Sequence, residues 1–158
     1  MTQSIQKQKI EPSWSVSEIQ EHVVKSICSQ MQMKLEMAES GKLQNAEELR
    51  NKSAQHKAEC FKKDGVKSPL ELVKKLAELE VNLTGSKVSI SGDDERATLI
   101  QDEPKVYLEI RQKIDEQKLE KLREFFSAWM TQLGQNFGFQ TKVELAPEGK
   151  GTKITFSR

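Results

Sequence analysis

A chain of 158 residues, 35% hydrophobic and 31% charged, is sized for one domain that buries about two-thirds of its unfolded surface. Its 25 Lys and Arg balance 24 Asp and Glu to a net charge of +1, without the basic footprint that a dedicated nucleic-acid binder needs to neutralise phosphates. No apolar run approaches the roughly eighteen residues of a membrane helix, no signal-peptide core opens the chain, and two cysteines make no disulfide framework, so the expectation is a cytoplasmic protein with neither nucleic acid nor membrane as partner.

Residues 1–12 are rich in Gln and Lys and read as a disordered tail ahead of a single α+β domain over 13–158. The first helix is signalled by Ser15 and Glu18 as a capping box and by Trp14 and Ile19 at hydrophobic-staple spacing. Val16, Ile19, Val23, Val24, Ile27, Met31, Leu35 and Ala38 then cover about half the helix circumference, and Ser40-Gly41 ends it. A face that wide predicts two partners, either two elements of the same fold or a second subunit.

A second helix is predicted from Asn45, with Glu48 as its capping partner and Gly65 after Lys62 and Lys63 at its end. Its apolar stripe is thin (Leu43, Ala46, Ala54, Ala58, Phe61), the pattern of a surface helix or of one that another chain covers. Ser68-Pro-Leu-Glu71 opens a third helix with a cap, a proline at the first position and a returning glutamate. Leu72, Val73, Leu76, Leu79 and Leu83 give it one buried face, and Gly85 stops it.

From Val88 the period changes from helical to alternating. Val88 and Ile90, a Gly92-Asp93-Asp94-Glu95 turn, and Ala97 to Ile100 predict a hairpin, and Asp102-Glu-Pro104 breaks the chain. Residues 105–111 fit a strand by their β-branched and aromatic content, although Val106, Ile110 and Ile114 are also spaced by four. Leu119, Leu122, Phe126, Trp129, Met130, Leu133 and Phe137 form a helical stripe roughly 100° wide behind an Asp115 cap. Gly134 and Gly138 stand where that helix is expected to fray and end. Phe139, Thr141, Val143 and Leu145 alternate with Gln140, Lys142 and Glu144, and after a Pro/Gly-rich turn Thr152, Ile154 and Phe156 resume the alternation. The final strand is expected at the sheet edge, blunted by Lys153 and Arg158.

All histidines and cysteines fall in the first two helices. His56 and Cys60, four apart, share a helix face, whereas His22 and Cys28 point about 120° apart and do not chelate one ion together. Surface histidines and half-buried thiols account for all four without a metal. A Cys60–His56 pair on one helical turn is poor geometry for nucleophilic proton transfer. The 24 acidic residues spread over polar faces with none singled out in an apolar run, and no nucleophile elbow, P-loop or dinucleotide fingerprint occurs.

The run Ala146-Pro-Glu-Gly-Lys-Gly-Thr-Lys-Ile-Thr-Phe156 is similar to the last hairpin of histidine-kinase-type ATPase domains and to a hairpin of START-like ligand-binding folds. The Asn-bearing helix and Asp-x-Gly-x-Gly loop of the former are missing, as is the long helix that follows the latter, so the likeness extends only to the turn. Over residues 86–158, the acidic hairpin turn Asp93-Asp94-Glu95-Arg96-Ala97-Thr98-Leu99, the break at Pro104, the helix ending in Gly134 and Gly138, and the closing hairpin with Gly151 resemble two related families. These are the small-molecule-sensing domains of the 4-vinyl-reductase type and the L-2-amino-thiazoline-4-carboxylate hydrolase-like proteins. The resemblance implies a compact, often dimeric, ligand-binding α+β domain with helices in front. The chain departs from those families in having no cysteine after Cys60.

The sequence therefore predicts an α+β domain: three N-terminal helices, then an antiparallel four- or five-stranded sheet with one long helix packed on it. The expected function is non-catalytic binding of a small apolar ligand or a partner protein, with Tyr107, Phe126, Trp129 and Phe139 lining the site. No cofactor, metal or catalytic residue is assigned. Homodimerisation is expected through the wide face of the first helix and the thin second one. The alternatives are a hydrolase-like enzyme using Cys60, His56 or a pocket carboxylate, and a scaffolding protein with no cavity.

Overall fold

The computed structural model describes residues 11–42 and 45–158. The chain runs α1 (Val16–Glu39), α2 (Ala46–Lys63), α3 (Pro69–Thr84), β1 (Lys87–Gly92), β2 (Arg96–Glu103), α4 (Lys105–Ile110), α5 (Glu116–Asn136), β3 (Gln140–Glu144) and β4 (Thr152–Ser157). It is an α+β arrangement with a four-stranded antiparallel sheet in the order β1-β2-β4-β3. Helices α3 and α5 lie on the sheet, α2 packs on α5, and α1 rests on α3 and α4. Of the tail expected over 1–12, all but the last two residues lie outside the described residues, as does Leu43 of the α2 stripe. Among the described residues no helix is long and apolar enough to cross a membrane.

Local chemistry fixes most helix starts. Ser15 and Glu18 close a full capping box, with the Glu18 N–H donating to Ser15 Oγ at 3.2 Å and the Ser15 N–H to Glu18 Oε2 at 2.7 Å. Ser68 and Glu71 repeat it at α3, and Asp115 caps α5 through the Lys118 N–H at 2.8 Å. The Trp14 ring stacks flat on His22, centroids 4.4 Å apart, while Ile19 stays 46% exposed. Asn45 departs from expectation: its backbone is left-handed (φ 61°), which turns the side chain away from the first-turn amides, so it makes no cap bond. Glu48 pairs instead with Lys52 at 2.7 Å.

Three sequence expectations are corrected. Residues 105–111 are not a strand; α4 takes Lys105–Ile110 because Val106, Ile110 and Ile114, spaced by four, all face the small cluster around Cys28 and Leu119. Burial on that face overrides the β preference of the individual residues. The final strand is not an edge. β4 sits between β2 and β3, so that Ile154 is paired with both Leu99 and Val143, and Phe156 with both Ala97 and Thr141. Ile154 and Phe156 have no exposed surface, which makes β4 the natural centre, and the edges fall to serine-rich β1 and to β3 with its Lys142 and Glu144. Gly134 does not end α5 but lies buried within it. A Cβ there would stand 2.0 Å from Thr141 Oγ1 and 3.1 Å from the Phe156 ring, so glycine is what lets the helix approach the sheet.

The thin stripe of α2 needs no second chain to cover it. Ala54, Ala58 and Phe61 are buried in the main core, and the two small alanines allow α2 to sit close to α5. Trp129 joins the two helices, its indole N–H donating to Ser53 Oγ at 3.3 Å.

Candidate functional site: a cavity at one end of the sheet

The helices and the inner sheet face enclose two apolar clusters. The larger contains Leu72, Val73, Leu99, Leu133, Ile154 and Phe156, all with zero exposure. The smaller centres on Cys28, Ile110 and Leu119, with Met31, Val106, Tyr107, Ile114 and Leu122 packed around it. Between them lies a cavity of about 310 Å³. The stripes of α3 and α5 explain its position, because each serves both ends of the molecule. Leu72, Val73 and Leu76 fill the main core while Leu79 and Leu83, one and two turns on, face the cavity. On α5 the order is reversed: Leu122 and Phe126 face the cavity, and Met130 and Leu133 fill the core.

Ile27 and Met31 of α1 close one side, Val106, Tyr107 and Ile110 another, and Leu145, Ala146 and Gly149 of the β3–β4 turn a third. Leu83 is both a wall residue and 48% exposed, which places an opening beside the last turn of α3. The turn is tied down by three side chains that donate to its carbonyls: Tyr107 Oη to Pro147 (3.4 Å), Arg111 Nη1 to Glu148 (3.2 Å) and Arg123 Nη2 to Ala146 (3.4 Å). From within the hairpin, the Ala146 N–H donates to Thr152 Oγ1 at 3.0 Å and the Gly151 N–H to the Gln101 carbonyl at 2.7 Å. Gly149 lies against the Tyr107 ring, where a Cβ would come within 2.2 Å, and its φ of +83° suits only glycine.

One carboxyl group interrupts these apolar walls. Glu80 projects from α3 and accepts a hydrogen bond from Gln101 Nε2 at 2.7 Å, the one side chain among the described residues that hydrogen-bonds to its carboxyl. Burial pushes its pKa above the ordinary carboxylate value, and the Gln101 bond pulls only weakly the other way. Among the described residues no Lys or Arg forms an ion pair with it. Gln101, itself buried, stands on β2 opposite both Val88 and Thr152. Behind Glu80, Thr84 Oγ1 donates to the Glu80 carbonyl (2.6 Å) and lies 2.7 Å from Ser86 Oγ, which accepts the Lys105 N–H at 3.0 Å. These hydroxyls join the end of α3 to the start of α4.

Of the four residues expected to line a site, Tyr107 and Phe126 border the cavity and Trp129 and Phe139 do not. Trp129 lies almost a turn beyond Phe126 and reaches α2, while Phe139 is buried in the main core and stacks on Phe137 at 5.6 Å. Glu80 is the residue that sequence reading missed. It follows Leu76 by four and precedes Leu83 by three, so an acid stood on an otherwise apolar helix stripe. That was the available signal.

No histidine or cysteine lines the cavity. His56 Nε2 and Cys60 Sγ are 3.8 Å apart on the exposed side of α2. Cys28 is fully buried, its thiol pKa is raised by burial, and Sγ lies 3.7 Å from the Val106 carbonyl. Glu103, next to Pro104 of the cavity wall, is held down to about 2 by hydrogen bonds and charge from Lys105 and Lys87. Among the described residues no three His, Cys, Asp or Glu side chains gather as a metal-binding group. The chain matches no family model and no curated protein.

Proposed function

We propose that this protein is a non-catalytic binding domain whose cavity takes a small, mostly apolar ligand. The observation that carries the reading is a cavity of about 310 Å³ with mostly aliphatic and aromatic walls and a few polar side chains among them, Glu80 and Gln101 joined by a hydrogen bond. Ligand sites commonly begin near 300 Å³ and combine apolar walls with a few convergent polar groups. Titration with a neutral apolar fluorescent dye such as N-phenyl-1-naphthylamine tests it. Saturable one-site binding is expected, abolished by Leu79→Trp, which places an indole in the cavity from a position that also flanks the main core. Dye binding that is absent, or unchanged in the filled variant, sinks the reading.

Glu80 is also the one observation that favours an enzyme, since a carboxyl with a raised pKa in a cleft has the character of a general acid or base. The cavity wall around it offers an amide and hydroxyls but no His or Cys, and the Cys60–His56 pair lies on the open side of α2. Binding is the stronger reading. Self-association remains part of the proposal through α1 alone, where Val16, Ile19 and Met33 stay 46–68% exposed. Sedimentation as a monomer at micromolar concentration overturns that part without affecting the cavity.

A further inference from the structure

We infer that the cavity selects ligands in which an apolar body carries a single protonated amine, with the ammonium seated on Glu80. The inference rests on the proposed binding role of the cavity and names the chemistry of its ligand.

The argument starts from what Glu80 lacks. A carboxylate drawn out of water is stable when cations or several hydrogen-bond donors surround it. Here the Gln101 amide supplies one donor at 2.7 Å, and among the described residues no other side chain hydrogen-bonds to the carboxyl. The cations around the cavity are engaged elsewhere. Arg123 borders the same space, but Nη1 pairs with Glu120 Oε2 at 3.3 Å and Nη2 donates to the Ala146 carbonyl. Lys105, at the start of α4, pairs with Glu103.

The orientation of the amide decides between ligand classes. Gln101 presents its N–H to Glu80, so the carboxyl acts as an acceptor and its unfilled position calls for another donor. An alcohol supplies a donor without a charge. An ammonium supplies donors and the missing countercharge together, so its bond to the carboxylate adds an ion-pair attraction that the alcohol's bond lacks. An acid brings a second negative charge to the same wall. The apolar remainder of the ligand lies along Leu79, Leu83, Phe126 and Ile27.

The test is calorimetric titration of the full chain at neutral pH with three probes of one shape: phenylbutylamine, phenylbutanol and phenylbutyrate. The amine is expected to bind about tenfold more tightly than the alcohol, and the acid most weakly. Glu80→Gln should bring the amine down to the alcohol's affinity or below it. Equal binding of amine and alcohol, a preference for the acid, or an amine preference that survives Glu80→Gln overturns the inference while the binding role stands. If none of the three probes binds and the dye does not either, both fall. The ranking in the unaltered chain decides the matter even where the variant does not fold.

Discussion

The two ends of the helix-covered sheet face are built from the same stripes and end differently. At one end α2, α3 and α5 close over Leu99, Ile154 and Phe156 with no exposed apolar surface. At the other, α1 and the six-residue α4 stand over the sheet with a cavity of about 310 Å³ between. The difference lies in how closely the helices approach. The filled end uses Ala54, Ala58 and Gly134 at its contacts, so backbones come near. The hollow end meets through larger side chains, and α1, 24 residues long, fully buries only Cys28. A chain with a modest core has placed its best packing at one end of the sheet and left a cavity at the other.

The sharpest way to break this comparison is to truncate one aromatic at each end. Phe156→Ala should cost about 3–5 kcal/mol in urea unfolding, and Phe126→Ala about 1–2 kcal/mol, because the Phe126 ring already borders empty space. Equal losses would mean that the hollow end is packed in solution. Enlargement should reverse the sign: Leu133→Phe destabilises by about 1–3 kcal/mol, whereas Leu79→Phe is neutral or stabilising by up to about 1 kcal/mol. At the turn over the cavity, Gly149→Ala meets both the Tyr107 ring and an unfavourable φ, for a loss of about 1–2 kcal/mol with faster dye release in stopped flow.

The smallest effects are in the pH dependence, and they have opposite signs. Glu80 has its pKa raised in the fold, so the folded state binds the proton more tightly than the unfolded chain. Stability attributable to it therefore falls as pH rises from the ordinary carboxylate value through the folded one, and Glu80→Gln should flatten that decline. Glu103 is lowered from 4.5 to about 2, so its contribution is present above the former and is lost as pH falls through the latter. Glu103→Gln should remove that acid-side loss, a minor change because its two lysine pairs lie at the surface. Acid and neutral unfolding midpoints of the two variants, measured together, would expose a wrong assignment of either sign.

Much of this was legible beforehand, for local reasons. The capping boxes at Ser15 and Ser68 and the Asp115 cap depend on side chains within three residues of the amides they satisfy, so sequence spacing suffices. The inward alternation of Thr141 and Val143 needs only the strand period. Asn45 failed because capping also depends on its backbone conformation, and 105–110 failed because strand content in six residues says nothing of which face will be covered. The cavity was half legible. Tyr107 and Phe126 were singled out for aromatic content, and the same criterion named Trp129 and Phe139, which fill volume elsewhere.

The sequence by itself determined the α+β class, the caps, the hairpin turns and the stripes that must face inward, since all of these follow from periods of two and of three to four residues and from contacts along a few residues of chain. Only the tertiary structure decided that β4 is central, that α2 is covered by α5, and that Glu80 faces a cavity instead of solvent. Those outcomes depend on which elements meet and how near they come. A glycine at 134 and alanines at 54 and 58 set that distance at one end, and nothing in a linear pattern states the distance left at the other.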